Sequence, residues 1–233
     1  MMAVAQRHLA AEIGPLEYEA QVKYPGAPAS LDAPGGRTVR RLLQAYARDP
    51  LLRDWSTSAE IANRLRQVLG PRIELSQAHH NCVMTKNPAF SSATGWHQDI
   101  RYWSFERAEL VSVWLALGPE REENGCLWLV PGSHRMEFRR EQYDDDRFFR
   151  ADSDENRKIL QATAAAELEQ GDALFFHCRL LHAAGRNRTA LTKFAAVFTY
   201  HDAGNPPLPG TRSASLPEIP LPVQFPVSGA PLR

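Results

Sequence analysis

The first part of the chain places apolar residues at helical spacing. In the segment RTVRRLLQAYARDPLLRDWSTSAEIANRLRQVLG, residues 37–70, leucines and aromatic residues recur every three or four positions. Pro50 and the polar stretch 56–58 interrupt this pattern, so the segment predicts two or three helices with short breaks between them. We therefore expect a helical lead-in over residues 1–70.

After Gly70 the apolar residues form short continuous or alternating runs, which are typical of strands. These runs are IELSQAHHNCVM, LVSVWLAL, CLWLVPGS, ALFFH, RLLHAAG and KFAAVFTYH. Turn residues separate them, among them Asn124-Gly125, Pro131-Gly132 and Gly171-Asp172. Helices followed by many strands predict an α+β chain with a jelly roll or barrel over residues 71–203, and thus one domain over residues 1–203.

Two segments depart from the strand pattern. EFRREQYDDDRFFRADSDENRK, residues 137–158, is highly charged and predicts a solvated surface insertion, with a substrate lid as the alternative. The tail, residues 204–233, contains many of the chain's 17 prolines, so we expect no regular structure there. An extended tail packed on the core and a disordered tail are both consistent with this composition.

Composition excludes several classes of function. Lysine plus arginine and aspartate plus glutamate both number 27, so neither a nucleic-acid partner nor an electrostatic membrane anchor is expected. The chain contains no long apolar run, its first residues lack a signal-peptide pattern, and its three cysteines are widely spaced. These features favour a cytoplasmic protein without a membrane partner. No glycine-rich phosphate-binding motif occurs, and nothing predicts an oligomeric state.

The stretch TGWHQDIRYWSF, residues 94–105, combines a histidine, an aspartate, an arginine and several aromatic residues within a short window. In an extended strand His97 and Asp99 point to the same side, and a second histidine from elsewhere would complete a 2-His-1-carboxylate site for non-heme iron(II). The H-x-D pattern alone is frequent by chance. Arg101 shares the same parity, so it would face the site and bind an anionic substrate group, or else pair with a neighbouring acid.

His182 is the best candidate for the second histidine. It lies in FFHCRLLHAAGRNRT, at a predicted strand followed by a turn, and far enough from Asp99 for several strands to intervene. His177 in the same segment is its nearest competitor. A core histidine bonded to the backbone is the structural alternative for His182.

Together these residues resemble the phytanoyl-CoA dioxygenase family of iron(II)- and 2-oxoglutarate-dependent oxygenases. The resemblance covers residues 86–200 and is carried by the landmarks TGWHQD, LVSVWLAL, NGCLWLVPGSHR, GDALFFH and LLHAAGRNRT. It implies a cupin-like double-stranded β-helix, with His97, Asp99 and His182 as iron ligands. It also implies 2-oxoglutarate and dioxygen as cosubstrates.

The resemblance assigns further residues to the 2-oxoglutarate site. Trp114 matches a tryptophan beside the cosubstrate, and Arg41 and Lys86 match basic residues near it, although a solvated arginine and a structural lysine are the alternatives. Most family members have an arginine 11 residues after the distal histidine, where this chain has Lys193. We expect Lys193 to bind the far carboxylate of 2-oxoglutarate, with Arg186 and Arg188 as less suitable substitutes.

The function implied is hydroxylation of a small organic substrate, coupled to decarboxylation of 2-oxoglutarate to succinate. Asp99 favours hydroxylation over halogenation, because halogenating relatives have a small residue at that position. Trp103, like Trp96 and Phe105, is either a wall of the substrate pocket or a core aromatic. The alternative functions are a jelly-roll protein that binds a metal or ligand without turnover, and a cupin-like enzyme that uses zinc or manganese.

Overall fold

The core of the protein consists of two antiparallel β-sheets. The computed structural model describes residues 1–22, 24 and 26–222. The larger sheet has the strand order β1-β2-β3-β10-β5-β8, and β11 also pairs with β3. Its strands are β1 (Leu16–Tyr18), β2 (Val39–Leu43), β3 (Ile73–Lys86), β5 (Leu110–Ala116), β8 (Ala173–His177), β10 (Lys193–Asp202) and β11 (Ile219–Pro220).

The smaller sheet has the order β4-β9-β6-β7 and packs against the larger one. Its strands are β4 (Thr94–His97), β6 (Leu127–Leu129), β7 (Ala164–Ala166) and β9 (His182–Ala184). Apolar side chains from both sheets, among them Trp114 and Phe176 on one side and Leu127 and Ala184 on the other, form one buried cluster between them. This architecture confirms the predicted double-stranded β-helix, and its α+β class is also confirmed.

Helices cover the outer face of the larger sheet. They are α1 (Met2–Ala10), α2 (Ala45–Arg48), α3 (Pro50–Ser56) and α4 (Ala59–Arg66). Leu52, Ile61 and Leu65 are buried there against Leu75 and Phe198 of the sheet. None of the helices in the described part of the chain combines the length and the apolar character that a bilayer crossing requires.

The breaks between these helices follow ordinary capping chemistry. The Asp49 carboxylate accepts a hydrogen bond from the Leu51 amide at 2.9 Å, and Pro50 occupies the first turn of α3. The Ser58 hydroxyl caps α4 in the same way through the Ile61 amide. The prediction of helices with breaks at Pro50 and at residues 56–58 is thereby confirmed.

The helical lead-in expected over residues 1–70 also contains two strands, β1 and β2, which the sequence did not predict. Val39–Leu43 pairs with β3, with Arg41 opposite Met84, and β1 pairs with β2 in turn. The apolar spacing of this short segment fits a strand as well as a helix, and pairing on the edge of a long strand decides between them.

The tail and the charged insertion are more ordered than expected. Ile219–Pro220 pairs with β3, and Leu221 is buried in the core under the helices. Up to residue 222 the tail is therefore extended and packed on the core, while residues 223–233 lie outside the described residues. The insertion contains helix α5 (Asp154–Leu160). It is not simply solvated, because Tyr143 and Phe149 are buried beside Leu181.

Candidate metal centre

His97 and His182 meet across a strand pair of the smaller sheet. They are directly opposite each other in the antiparallel pairing of β4 and β9, and their ring centroids are 4.2 Å apart. Residues opposite each other in such a pair project to the same face of the sheet. The pairing thus accounts for why two histidines so distant in sequence approach one site.

Asp99 reaches the same site by a different route from the one predicted. Strand β4 ends at His97, and Asp99 is the first residue of a 3₁₀ helix, Asp99–Tyr102. The strand-parity reason for placing His97 and Asp99 together is therefore wrong, although the two side chains do converge. The turn, and not a continued strand, directs the Asp99 carboxylate toward the histidines.

The three side chains form a group with the geometry of a metal site. One potential ligand atom from each of His97, Asp99 and His182 lies within 4.8 Å of the other two. The Nε2 atoms of His97 and His182 are 3.6 Å and 3.7 Å from the Asp99 Oδ1 atom. These separations are too long for direct hydrogen bonds and are suited to a cation between the ligands.

Hydrogen bonds to the backbone fix which nitrogen of each histidine faces the centre. The Nδ1 atoms of His97 and His182 lie 2.8 Å from the Gly95 carbonyl oxygen and 2.9 Å from the Leu180 carbonyl oxygen. A carbonyl oxygen only accepts, so Nδ1 carries the proton and Nε2 presents its lone pair to the site. Asp99 Oδ2 is buried and has no hydrogen-bond partner among the described residues, so this carboxylate is not satisfied by the protein alone.

The protonation states are also those that a metal requires. Burial alone would raise the pKa of Asp99, but His80, His182 and His97 outweigh it and hold that pKa well below its usual range. Burial lowers the pKa of His182 to about 4, so its imidazole is neutral at pH 7. An ionised carboxylate beside a neutral imidazole fits a divalent cation.

His80 is a third histidine at this centre, and the sequence did not predict it there. Its Nδ1 atom is 3.7 Å from Asp99 Oδ2 and 3.3 Å from the Ser112 hydroxyl. The adjacent histidines His79 and His80 on β3 were the available signal. His177, the competitor of His182, lies at the end of β8, where its Nδ1 accepts from the Arg179 amide at 3.1 Å, and it does not belong to the group.

A cavity extends from the two histidines into the space between the sheets. This first cavity brings together the four residues that were predicted to bind 2-oxoglutarate. Its lining includes His97, His182, Arg41, Lys86, Trp114 and Lys193. The structure therefore places all four predicted cosubstrate residues around one space beside His97 and His182.

Lys86 and Lys193 lie directly opposite each other on β3 and β10. The Lys193 ammonium donates to Glu120 Oε2 at 2.9 Å, and its Nζ lies 5.1 Å from the centroid of the Trp114 ring. Lys86 Nζ instead donates to two backbone carbonyls, those of Ser92 and Gly185. Burial lowers the pKa of Lys86 to about 7. The two lysines therefore differ in whether an anion already balances their charge.

Arg41 is neither solvated nor free. Its Nε atom lies 3.2 Å from Glu17 Oε2, and its side chain lines the first cavity. The neighbouring Arg40, which the sequence reasoning missed, is more deeply buried and donates to the Ser92 hydroxyl at 2.8 Å. Arg40 is paired with the buried Glu19 at 3.4 Å. A buried Arg–Glu pair had no signal in the local sequence pattern.

A second cavity has Asp99 in its lining. Its lining includes Arg41, His79, His80, Tyr102, Trp103 and Arg212, and it shares His97 with the first cavity. Trp103 is stacked on His79 with ring centroids 4.8 Å apart, so this tryptophan is a wall of the cavity. Phe105 and Trp96 belong to buried apolar clusters and are core aromatics.

The expectation that Arg101 faces the site is wrong. The strand does not continue past His97, and Arg101 lies within the 3₁₀ helix, where the parity of a strand no longer applies. Its guanidinium carbon lies 3.4 Å from the centroid of the Tyr143 ring, in a cation–π contact. Arg101 forms no ion pair with any residue that the structure describes, so the predicted alternative does not hold either.

Comparison with known proteins agrees with this site. The family model for phytanoyl-CoA dioxygenase (PhyH) matches residues 8–195. The chain belongs to the phytanoyl-CoA dioxygenase family. It is 29% identical over 168 residues to human peroxisomal phytanoyl-CoA dioxygenase, an alignment that covers 67% of this chain and 47% of the human protein. The chain thus spans about half the length of the phytanoyl-CoA dioxygenases that it matches.

Other family relatives and solved structures show the same fold. The ectoine dioxygenase of Sphingopyxis alaskensis is 24% identical over 201 residues, which cover 76% of this chain and 64% of that protein. A crystal structure of EctD from S. alaskensis with 2-oxoglutarate and 5-hydroxyectoine superposes with a TM-score of 0.70 at 19% identity, covering 89% of this chain and 68% of EctD. The epimerase SnoN, in complex with Fe3+, alpha ketoglutarate and nogalamycin RO, gives a TM-score of 0.69 at 23% identity, with coverage of 100% and 82%.

Proposed function

We propose that this protein is an iron(II)- and 2-oxoglutarate-dependent dioxygenase that hydroxylates a small organic substrate. The observation that carries the proposal is the convergence of His97, Asp99 and His182, in which both Nε2 atoms lie within 3.7 Å of Asp99 Oδ1 and both Nδ1 atoms are held by backbone carbonyls. Three protein ligands of this kind are typical of non-heme iron(II) oxygenases, because they leave coordination positions for other molecules.

The residues divide into those that hold iron and those that hold the cosubstrate. His97, Asp99 and His182 would bind the iron, and the metal together with 2-oxoglutarate and dioxygen would supply the oxidising power. The first cavity would hold 2-oxoglutarate, with Trp114 as an apolar wall. Lys86 and Lys193 provide the positive end of the cavity, and Arg41 lies between this cavity and the second one.

The second cavity is the proposed substrate site. Asp99 and His97 are in its lining, so a substrate bound there would lie next to the proposed metal ligands. Trp103 and Tyr102 orient and shield the substrate from water. Arg212, which lines this cavity, takes over the anion-binding role expected of Arg101 and favours a substrate that carries an anionic group.

Hydroxylation is the outcome that Asp99 favours. A carboxylate at this position occupies a coordination site that a halide would otherwise need. The fold alone does not decide the outcome, since SnoN, which has this fold, is an epimerase. We expect the unaltered protein in chloride buffer to form a hydroxylated and not a chlorinated product, and mass spectrometry of the turnover mixture distinguishes the two.

The test of this function is 2-oxoglutarate turnover. Succinate is expected to form when iron(II), ascorbate and 2-oxoglutarate are added aerobically, and a substrate should increase its rate. His97→Ala and His182→Ala are expected to abolish succinate formation, whereas His177→Ala, which alters a histidine outside the group, should retain it. A protein that binds metal without forming succinate would instead be a jelly-roll binding protein. A protein that works with zinc or manganese and binds no 2-oxoglutarate would be a different cupin-like enzyme.

A further inference from the structure

A buried carboxylate, that of Glu120, lies at the basic end of the first cavity. Neither metal binding nor 2-oxoglutarate binding accounts for it. Its side chain is fully buried. One carboxylate oxygen accepts a hydrogen bond from the Trp114 indole N–H at 2.6 Å, and the other accepts from the Lys193 ammonium at 2.9 Å. Trp114 and Lys193 both line the cavity, so the hydrogen bonds to Glu120 fix the positions of two lining side chains.

This contact changes the charge that the cavity offers to a ligand. Lys193 and Glu120 together are electrically neutral, and each is almost completely shielded from water. A second carboxylate brought to Lys193 would share one ammonium with Glu120, and two close carboxylates in a buried site repel each other. Lys193 is therefore a poor partner for the distal carboxylate of 2-oxoglutarate in the presence of Glu120.

No carboxylate among the described residues forms an ion pair with Lys86. Lys86 lies opposite Lys193 in the pairing of β3 and β10 and lines the same cavity. Its Nζ donates to the carbonyls of Ser92 and Gly185, which accept hydrogen bonds without cancelling the charge, and a third N–H remains. The nearby Arg40 is itself paired with Glu19. The uncompensated positive charge at this end of the cavity thus lies on Lys86.

We propose that Glu120 is a positioning residue that neutralises and orients Lys193, so that Lys86 receives the distal carboxylate of 2-oxoglutarate. The inference rests on the proposed function. Lys193 and Glu120 then act as a unit that shapes the cavity wall and holds Trp114. With one net positive charge, the cluster of Lys86, Lys193 and Glu120 matches a single carboxylate.

The test compares two keto acids on four forms of the anaerobic iron(II) protein. 2-Oxopentanoate has the carbon chain of 2-oxoglutarate with a methyl group in place of the distal carboxylate, so the ratio of the two Kd values isolates the charge contribution. The forms are the unaltered protein, Glu120→Gln, Lys193→Met and the double variant. Isothermal titration calorimetry gives both constants, and thermal unfolding without ligand verifies that each form is folded.

The proposal predicts opposite effects of the two single changes. Glu120→Gln should improve the preference for 2-oxoglutarate about tenfold, because a competing anion is removed. Lys193→Met should reduce that preference about tenfold, because it leaves Glu120 unpaired. The double variant should return to within about threefold of the unaltered protein, since it replaces a neutral pair by neutral side chains.

The double variant distinguishes a direct contact of Lys193 with the distal carboxylate from a contact of Lys86, even if one single variant does not fold. Suppose that the preference of the double variant for 2-oxoglutarate over 2-oxopentanoate is lower than that of the unaltered protein by about tenfold or more. Lys193 is then the direct contact of the distal carboxylate, and the proposal is overturned. An unchanged preference in Glu120→Gln also overturns it. If the unaltered iron(II) protein binds neither keto acid, the proposed function fails and this inference fails with it.

Discussion

His97 and His182 are directly opposed partners in the antiparallel pairing of β4 and β9, with their ring centroids 4.2 Å apart. Each ring is fixed by a hydrogen bond from Nδ1 to the carbonyl oxygen two residues before it. The register of one strand pair therefore sets both the distance between the histidines and the nitrogen that each presents. A slip of one residue would turn either imidazole to the other face of the sheet.

Metal affinity is expected to depend on His97 and His182 and not on His177. His97→Ala and His182→Ala should each weaken iron(II) binding by at least about a hundredfold, because two ligands cannot hold the ion as three do. Equilibrium dialysis under anaerobic conditions measures this. His177→Ala is the matched control and should bind like the unaltered protein. Near-normal affinity in either ligand variant would remove that residue from the site.

Binding of 2-oxoglutarate should weaken as the pH rises above 7. Burial lowers the pKa of Lys86 to about 7, with Arg40 and Lys193 lowering it further and Glu19 and Glu120 opposing them. If only the charged form binds the distal carboxylate, the Kd is constant below pH 7 and rises up to about tenfold per pH unit above it. Calorimetric titrations between pH 6 and 8.5 measure this change.

The control for this pH dependence is the uncharged analogue. 2-Oxopentanoate should show no comparable loss of affinity over the same range, and Lys86→Met should bind 2-oxoglutarate weakly with a flat profile. Equal pH profiles for the two keto acids would show that Lys86 does not receive the carboxylate.

The buried pair of Lys193 and Glu120 is expected to show strong coupling in stability. Lys193→Met leaves a fully buried carboxylate unpaired and should lower the free energy of unfolding by about 3–5 kcal/mol. Adding Glu120→Gln should recover most of that loss, because no buried charge remains. Urea denaturation of the single and double variants measures the coupling. Additive effects would mean that the two side chains do not interact in solution.

The packing of the tail can be tested at Leu221. Its side chain is buried in the core beneath the helices, so Leu221→Ala should lower the free energy of unfolding by about 2–4 kcal/mol. Leu216 lies in the same tail and is 38% exposed. Leu216→Ala should therefore change the free energy of unfolding by less than about 0.5 kcal/mol. If the two substitutions had equal effects on urea denaturation, the tail would not be packed as described.

The sequence predicted the jelly roll because its short apolar runs match strands buried between two layers. It also predicted that His97, Asp99 and His182 converge, although for Asp99 the reason was wrong, since a 3₁₀ turn replaces the expected strand. Local patterns do not reveal such a turn, and the same turn removes Arg101 from the site. A strand parity rule holds only as far as the strand itself.

Pairings between distant segments explain what the sequence did not show. Glu120 follows β5 and meets Lys193 on β10, and Glu19 meets Arg40 in the same manner. Neither contact has a local signature, because the partners are brought together only by the strand order of the larger sheet. Lys193 was predicted to bind the far carboxylate of 2-oxoglutarate, but its counterion Glu120 became evident only from the fold.

Metal-dependent binding of 2-oxoglutarate is the most direct test of this site. We predict that anaerobic addition of 2-oxoglutarate to the iron(II) protein gives a charge-transfer absorption band that saturates at one equivalent. The band should be absent when iron is omitted and in the His182→Ala variant. A protein that shows no band, or one that keeps the full band after His182→Ala, would contradict the assignment of His97, Asp99 and His182 as the iron centre of an oxygenase.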